Sequence, residues 1–129
     1  MTLLYMVLTL GIMVVVHELG HFISAKLFKI GVPVFSIGMG KRLFGITKKG
    51  TDYRLSLMPF GGYVKLKGME DFDGKERDGD DFMVKHPLKR IIVIFSGPFA
   101  NFVLAFILLL AMTLIFGVSY MPNTPVYSM

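Results

Sequence analysis

Val16-His17-Glu18-Leu19-Gly20-His21 stands inside an apolar run that extends from Thr2 to Phe28, otherwise broken only by Ser24 and Lys26. That combination decides the architecture. A hydrocarbon core of about 30 Å takes roughly 20 apolar residues as helix. The run therefore reads as a membrane span, and nothing ends it before Gly31 and Pro33. Ionisable side chains within such a span cost about 2.5–3.5 kcal/mol each on insertion scales. Three of them at fixed spacing call for a partner, and a metal ion is one.

Working outward, a second run from Ile91 to Val118 holds no charged residue and is long enough to span as well. The two runs account for an apolar content of 53%, above the 45–50% usual for soluble domains. All fourteen Lys and Arg residues lie between Lys26 and Arg90. Basic residues in short loops mark the cytoplasmic side, so the connecting segment is expected there and both chain ends outside. The basic balance is thus a topology signal. No nucleic-acid motif accompanies it, and no nucleic-acid partner is expected. A cleavable signal peptide would place basic residues before its apolar run, whereas here they follow it. The absence of cysteine excludes disulfides, thiolate metal clusters and cysteine nucleophiles.

The expected fold class is membrane α-helical: two transmembrane helices joined by a cytoplasmic segment with a small antiparallel β-meander. Residues 1–29 form the first helix, 30–90 the cytoplasmic segment, 91–118 the second helix, and 119–129 an extracytoplasmic tail. Within the segment, Val34–Met39 and Leu43–Ile46 read as one strand pair. Tyr53–Met58 and Tyr63–Lys67 read as another, with apolar and polar residues alternating as in half-buried strands. Lys49-Gly50 and Pro59-Phe60-Gly61-Gly62 supply turns. The acidic stretch 70–81 resembles a calcium loop only superficially. Gly74 comes too early and the late bidentate glutamate is missing, so a solvated loop is expected. Phe82–Lys85, with Lys89-Arg90 beyond Pro87, suits a short interfacial helix with snorkelling lysines.

His17 and His21, four residues apart, project from one helical face and can reach one metal ion. Glu18 adjoins them and can take a proton from an activated water without being a ligand. This is the mechanical content of the HExxH pattern of zinc proteases. Asn101, ten residues into the second run, sits about 15 Å above the cytoplasmic boundary. His17 sits about 9 Å above it, roughly one helical turn away. Asn101 can thus face the site and hydrogen-bond a substrate backbone or a developing oxyanion, or else serve a helix–helix hydrogen bond.

The chain resembles the site-2 protease family of intramembrane zinc metalloproteases, in its bacterial RseP-type branch. The resemblance is carried by Val16–His21 with Ala25, Phe35-Ser36-Ile37-Gly38-Met39-Gly40, Pro59-Phe60-Gly61-Gly62-Tyr63-Val64-Lys65, and Gly97-Pro98-Phe99-Ala100-Asn101-Phe102. These blocks occur in the family's order and span nearly the whole chain. The resemblance implies that His17 and His21 bind Zn2+ and that Glu18 is the catalytic base. It implies that the glycine-rich hairpins, with Gly61 and Gly62, form a membrane-associated β element that could hold an unwound substrate by strand addition. It also implies a lipid environment, the bacterial inner membrane, and single-span membrane-protein substrates of the anti-sigma-factor or remnant-signal-peptide type.

The sequence departs from the family in two places. The family's third zinc ligand is an aspartate in a later transmembrane Asp-Gly motif, absent here, and a PDZ domain usually follows the second span. The chain is therefore expected to be an amino-terminal portion, its tail the start of that PDZ domain. His86, a substitute ligand in principle, lies near the interface. The alternatives to a protease are a non-catalytic module binding a partner helix and a metal transporter. The first needs no Glu18. The second needs more intramembrane polar residues than Ser96, Asn101 and Thr113 provide.

Overall fold

The computed structural model describes residues 1–69 and 77–117, with the side chains of residues 59 and 60 outside that description. In chain order it contains helix α1 (Thr2–Leu27), strands β1 (Val34–Lys48) and β2 (Thr51–Lys65), a 3-10 turn at Phe82–Val84, and helix α2 (Pro87–Phe116). Both helices are long and apolar enough to cross a membrane. At 1.5 Å per residue they measure about 39 and 45 Å. The tail 119–129 and acidic residues 70–76 lie outside the described residues.

α1 stops at a Schellman-type cap. Lys29 takes φ +55°, its N–H donates to Lys26 O (3.1 Å), and Ile30 N–H donates to Ala25 O (2.9 Å). These are the bonds that satisfy a helix's last carbonyls. The cap also buries Ile30 against Ala25. α2 begins four residues before the apolar run, because Pro87 occupies its first turn and His86 caps it. Proline is pre-organised there, and its missing N–H is one the helix cannot use anyway.

The sheet lies between the helices in sequence and is antiparallel along 44–48 against 51–55 and along 34–37 against 62–65. This pairing crosses the two groups expected from the sequence. Lys49 and Gly50 take φ +49° and +75°, a two-residue turn whose twist suits a hairpin, and it commits Lys48 to Thr51. Gly38 at φ +86° then bends β1. Val34–Ile37 is left between Asp52–Leu55 on one edge and Gly62–Lys65 on the other. Beyond Met39 the sheet exposes Leu43, Phe44, Ile46, Leu55 and Leu57. That apolar surface is more than a soluble sheet usually leaves uncovered.

The core gathers Ala25, Ile30, Val32, Leu66, Phe82 and Val93 where the end of α1, the base of the sheet and the start of α2 meet. Backbone bonds tie the same place together: Gly31 N–H to Asp80 O, Lys67 N–H to Gly31 O and Phe82 N–H to Lys67 O. Lys67 engages the aspartates at this point, its ammonium 2.7 Å from both Asp78 and Asp80 and 3.8 Å from Asp81. These three aspartates are the one group of three or more potential metal ligands among the described residues. The ammonium already supplies their counter-charge.

Candidate metal centre

α1 presents two faces, and the HExxH motif sits where they meet. His17, Gly20, His21 and Ser24 turn toward α2, whereas Glu18, Phe22 and Lys26 turn toward the sheet. The spacings of three and four residues place each set on one side of a helix. On the sheet side, Phe22 packs edge-on against Phe35 (5.2 Å) and Tyr53 (5.8 Å). Lys26 Nζ donates to Thr51 Oγ1 at 2.8 Å. One turn earlier, Glu18 Cγ stands 3.6 Å from where a Cβ on Gly62 would lie. Gly62 is thus beside Glu18, and Gly61 lies next to the Met39 side chain. Residues 62–65 form the last strand of the sheet. No strand pairs with their outer edge among the described residues.

On the α2 side the helices touch closely at Gly20, where an added Cβ would collide with the Ser96 carbonyl oxygen and lie 2.8 Å from its carbon. Close approach through glycine is typical of membrane helix pairs. His21 Nδ1 lies 2.7 Å from Val93 O. A carbonyl can only accept, so Nδ1 carries the proton and Nε2 presents its lone pair. This is how a metal-ligating imidazole is usually held. That Nε2 faces His17 Nε2 at 3.1 Å. Two nitrogens about 2.0–2.1 Å from one tetrahedral zinc lie about 3.3 Å apart, so the pair is spaced for a shared ion.

Opposite the pair, Gly97 leaves the room. A Cβ there would clash with His21 Nε2 and come within 2.7 Å of His17 Nε2. The residues present therefore fit zinc, with two ligands from this chain. His86 is no third. It caps α2, its Nδ1 accepting from Leu88 N–H at 3.3 Å, and lies seven residues before Val93, about 10 Å along the axis. The Glu18 carboxylate, half-buried, has no hydrogen bond or ion pair among the described residues.

Asn101 shares with His17, Met13, Pro98, Phe102 and Ala105 an open groove of about 440 Å³. Its Oδ1 is buried without a partner, so it makes no helix–helix hydrogen bond through that atom. The sequence reading did not single out Gly97, Val93 or Ser96 as part of the site. A glycine, a backbone carbonyl and a lone serine in an apolar helix carry no signal of their own. Only the packing of α2 on His21 reveals them.

The model of peptidase family M50, the site-2 proteases, matches residues 5–127. The chain belongs to this family. A relative in Campylobacter jejuni is 50% identical over 104 residues, covering 79% of this chain and 28% of the relative. One in Fusobacterium nucleatum is 48% identical over 117 residues (91% and 34%). One in Clostridium perfringens is 40% identical over 131 (97% and 38%). All three carry the name "Putative zinc metalloprotease". The chain spans about a third of the length of these curated relatives. The family is membrane-integral, which accords with two helices able to span.

Proposed function

We propose that this chain carries two zinc ligands, His17 and His21, and the catalytic base, Glu18, of an intramembrane zinc metalloendopeptidase. The observation that carries the reading is the facing Nε2 pair at 3.1 Å, with His21 locked as a donor to Val93 O. Zinc bound there supplies Lewis-acid chemistry, polarising the scissile carbonyl and activating water. Glu18 takes a proton from the attacking water and passes it to the leaving amine nitrogen. The free carboxylate beside an open strand edge supports that role.

The substrate reading follows from peptide chemistry. In a helix each carbonyl is bonded to an N–H four residues on and shielded by its own turns, so the scissile segment must be extended to be attacked. The outer edge of 62–65, which starts at Gly62 beside Glu18 and follows Gly61, suits an added substrate strand. Asn101, whose side-chain oxygen lacks a partner, suits a hydrogen bond to the substrate backbone across the groove. The proposed substrates are single-span membrane proteins of the anti-sigma-factor or remnant-signal-peptide type, cleaved in regulated intramembrane proteolysis. The proposed location is the bacterial inner membrane, in a multi-pass protein with residues 30–90 cytoplasmic. The remaining zinc ligand is proposed to come from outside residues 1–129, with residues 119–129 leading into a PDZ domain.

Glu18→Gln in the full-length protein tests the reading. Cleavage of a membrane-anchored reporter is expected to fall at least about 100-fold while zinc content stays at the wild-type level. Undiminished cleavage would overturn the assignment of Glu18.

A further inference from the structure

We propose that Ser96, acting with Ser24, is a positioning residue that fixes the metal-binding orientation of His21 through the Val93 carbonyl. The proposal rests on the zinc reading above. Its basis is a run of short polar contacts across the two helices. His21 Nδ1–H donates to Val93 O (2.7 Å). Ser96 Oγ reaches the same oxygen at 2.6 Å. Ser24 Oγ meets Ser96 Oγ at 2.7 Å and lies 3.0 Å from His21 O. Ser24 Oγ also lies 2.9 Å from Gly20 O, so the contacts run from the His21 ring to the backbone of α1.

A serine bonded to a carbonyl of its own preceding turn is common in helices and by itself means little. Two further facts separate this one. The carbonyl it bonds is the one that orients a zinc ligand. And the second serine, three residues after His21, holds Ser96 from the opposite helix. Val93 O thus receives one contact from its own helix and one from His21 of α1. Each hydroxyl has one proton to give. Either Ser24 donates to Ser96 and Ser96 to Val93 O, or Ser96 donates to Ser24 and Ser24 to the α1 backbone. The first arrangement, in which Ser96 donates to Val93 O, is the one proposed here; in both, the imidazole keeps its own bond to Val93 O. Hydrogen-bond partners of metal-ligating histidines typically contribute 10–100-fold in metal affinity or activity. Ser96 acts one step further out, which sets the expectation at the lower end.

The test uses full-length protein in detergent, stripped of metal and titrated with zinc against a competing chelator, for wild type, Ser96→Ala, Ser24→Ala and His17→Ala. Thermal unfolding of the metal-free proteins serves as a separate readout. Ser96→Ala is expected to weaken zinc about 10-fold and to alter the visible spectrum of the cobalt-loaded protein at saturating metal. Loss of stability alone would leave that spectrum unchanged. Ser24→Ala removes the contact to Ser96 without touching Val93 and is expected to shift both readouts the same way. It carries the test if Ser96→Ala fails to fold. Zinc affinity within twofold of wild type, or an unchanged saturated cobalt spectrum, in the serine variants overturns the proposal. If wild type binds zinc and His17→Ala does not, the metal reading survives that result. If wild type binds zinc no better than His17→Ala, both fall.

Discussion

Gly97→Ala puts one methyl group where the two imidazoles converge, and its consequence can be worked from the distances. The added Cβ would clash with His21 Nε2 and lie 2.6 Å from His21 Cε1 and 2.7 Å from His17 Nε2, whereas ordinary contacts begin at 3.4 Å. Relief requires a displacement of at least about 0.7 Å at a repulsive wall that side chains cannot compress. The His21 imidazole cannot retreat cheaply. His21 is tied to Val93 O on the far side, and α2 as a whole is held by the contact of Gly20 on Ser96. Zinc–nitrogen bonds of about 2.0–2.1 Å tolerate about 0.2 Å of error, so the shift exceeds the tolerance more than threefold. Zinc affinity is expected to fall at least about 10-fold and cleavage about 100-fold, the usual result of a 1 Å misplacement. Zinc stoichiometry and cleavage of a membrane-anchored reporter, both in the full-length protein, read the two effects. Gly79→Ala, which meets nothing within 4 Å, is the control and should change neither. Wild-type zinc content and cleavage in Gly97→Ala would refute the convergence of His17 and His21 on one ion.

Two other predictions concern the groove and the sheet base. Asn101→Leu removes a buried oxygen with no partner, so stability in detergent should hold or rise by about 1 kcal/mol. Cleavage should fall about 10-fold if the amide binds substrate, and full activity would leave it a packing residue. At the sheet base, the hydrogen bonds that Lys67 donates to Asp78 and Asp80 raise the Lys67 pKa, and the Lys67 ammonium lowers that of Asp80. Asp80 therefore stabilises above its ordinary value of about 3.9, and loses that contribution as pH falls through its depressed folded value. Lys67 stabilises below its ordinary value of about 10.4 and loses that contribution as pH rises through its raised one. Exchange protection of the Gly31 and Phe82 amides, which bond Asp80 O and Lys67 O, should be level between about pH 5 and 9. It should drop below about pH 4, after correction for intrinsic rates. Equal protection at pH 3 and 7 would remove the ion pairs as its cause.

What the sequence makes legible here follows from what each residue's environment must satisfy. The two helices are readable because a bilayer-length apolar run has few other fates, and the HELGH group because three ionisable residues in such a run need a partner. Strand existence is readable from alternation, but strand pairing is not. The sequence suggests 34–39 with 43–46, while the positive φ of Lys49 and Gly50 commits 48 to 51 and leaves 34–37 between two other strands. Local propensity fixes a turn, and the turn fixes neighbours that propensity alone cannot choose. The same distinction runs through the metal centre. His17, Glu18 and His21 declare themselves by side-chain chemistry. The groups that aim them, Val93 O, Gly97 and the Ser24–Ser96 pair, act through a backbone atom, an absent side chain and a helix crossing, and none of these has a spacing rule. Glu18 and His17 are neighbours in sequence yet turn to different partners, one to the strand edge at Gly62 and the other to α2. The motif therefore works as a hinge between two packing faces. A change at Phe22 or Ser24 can disturb the proposed base or the proposed ligands separately, although both residues lie outside the motif.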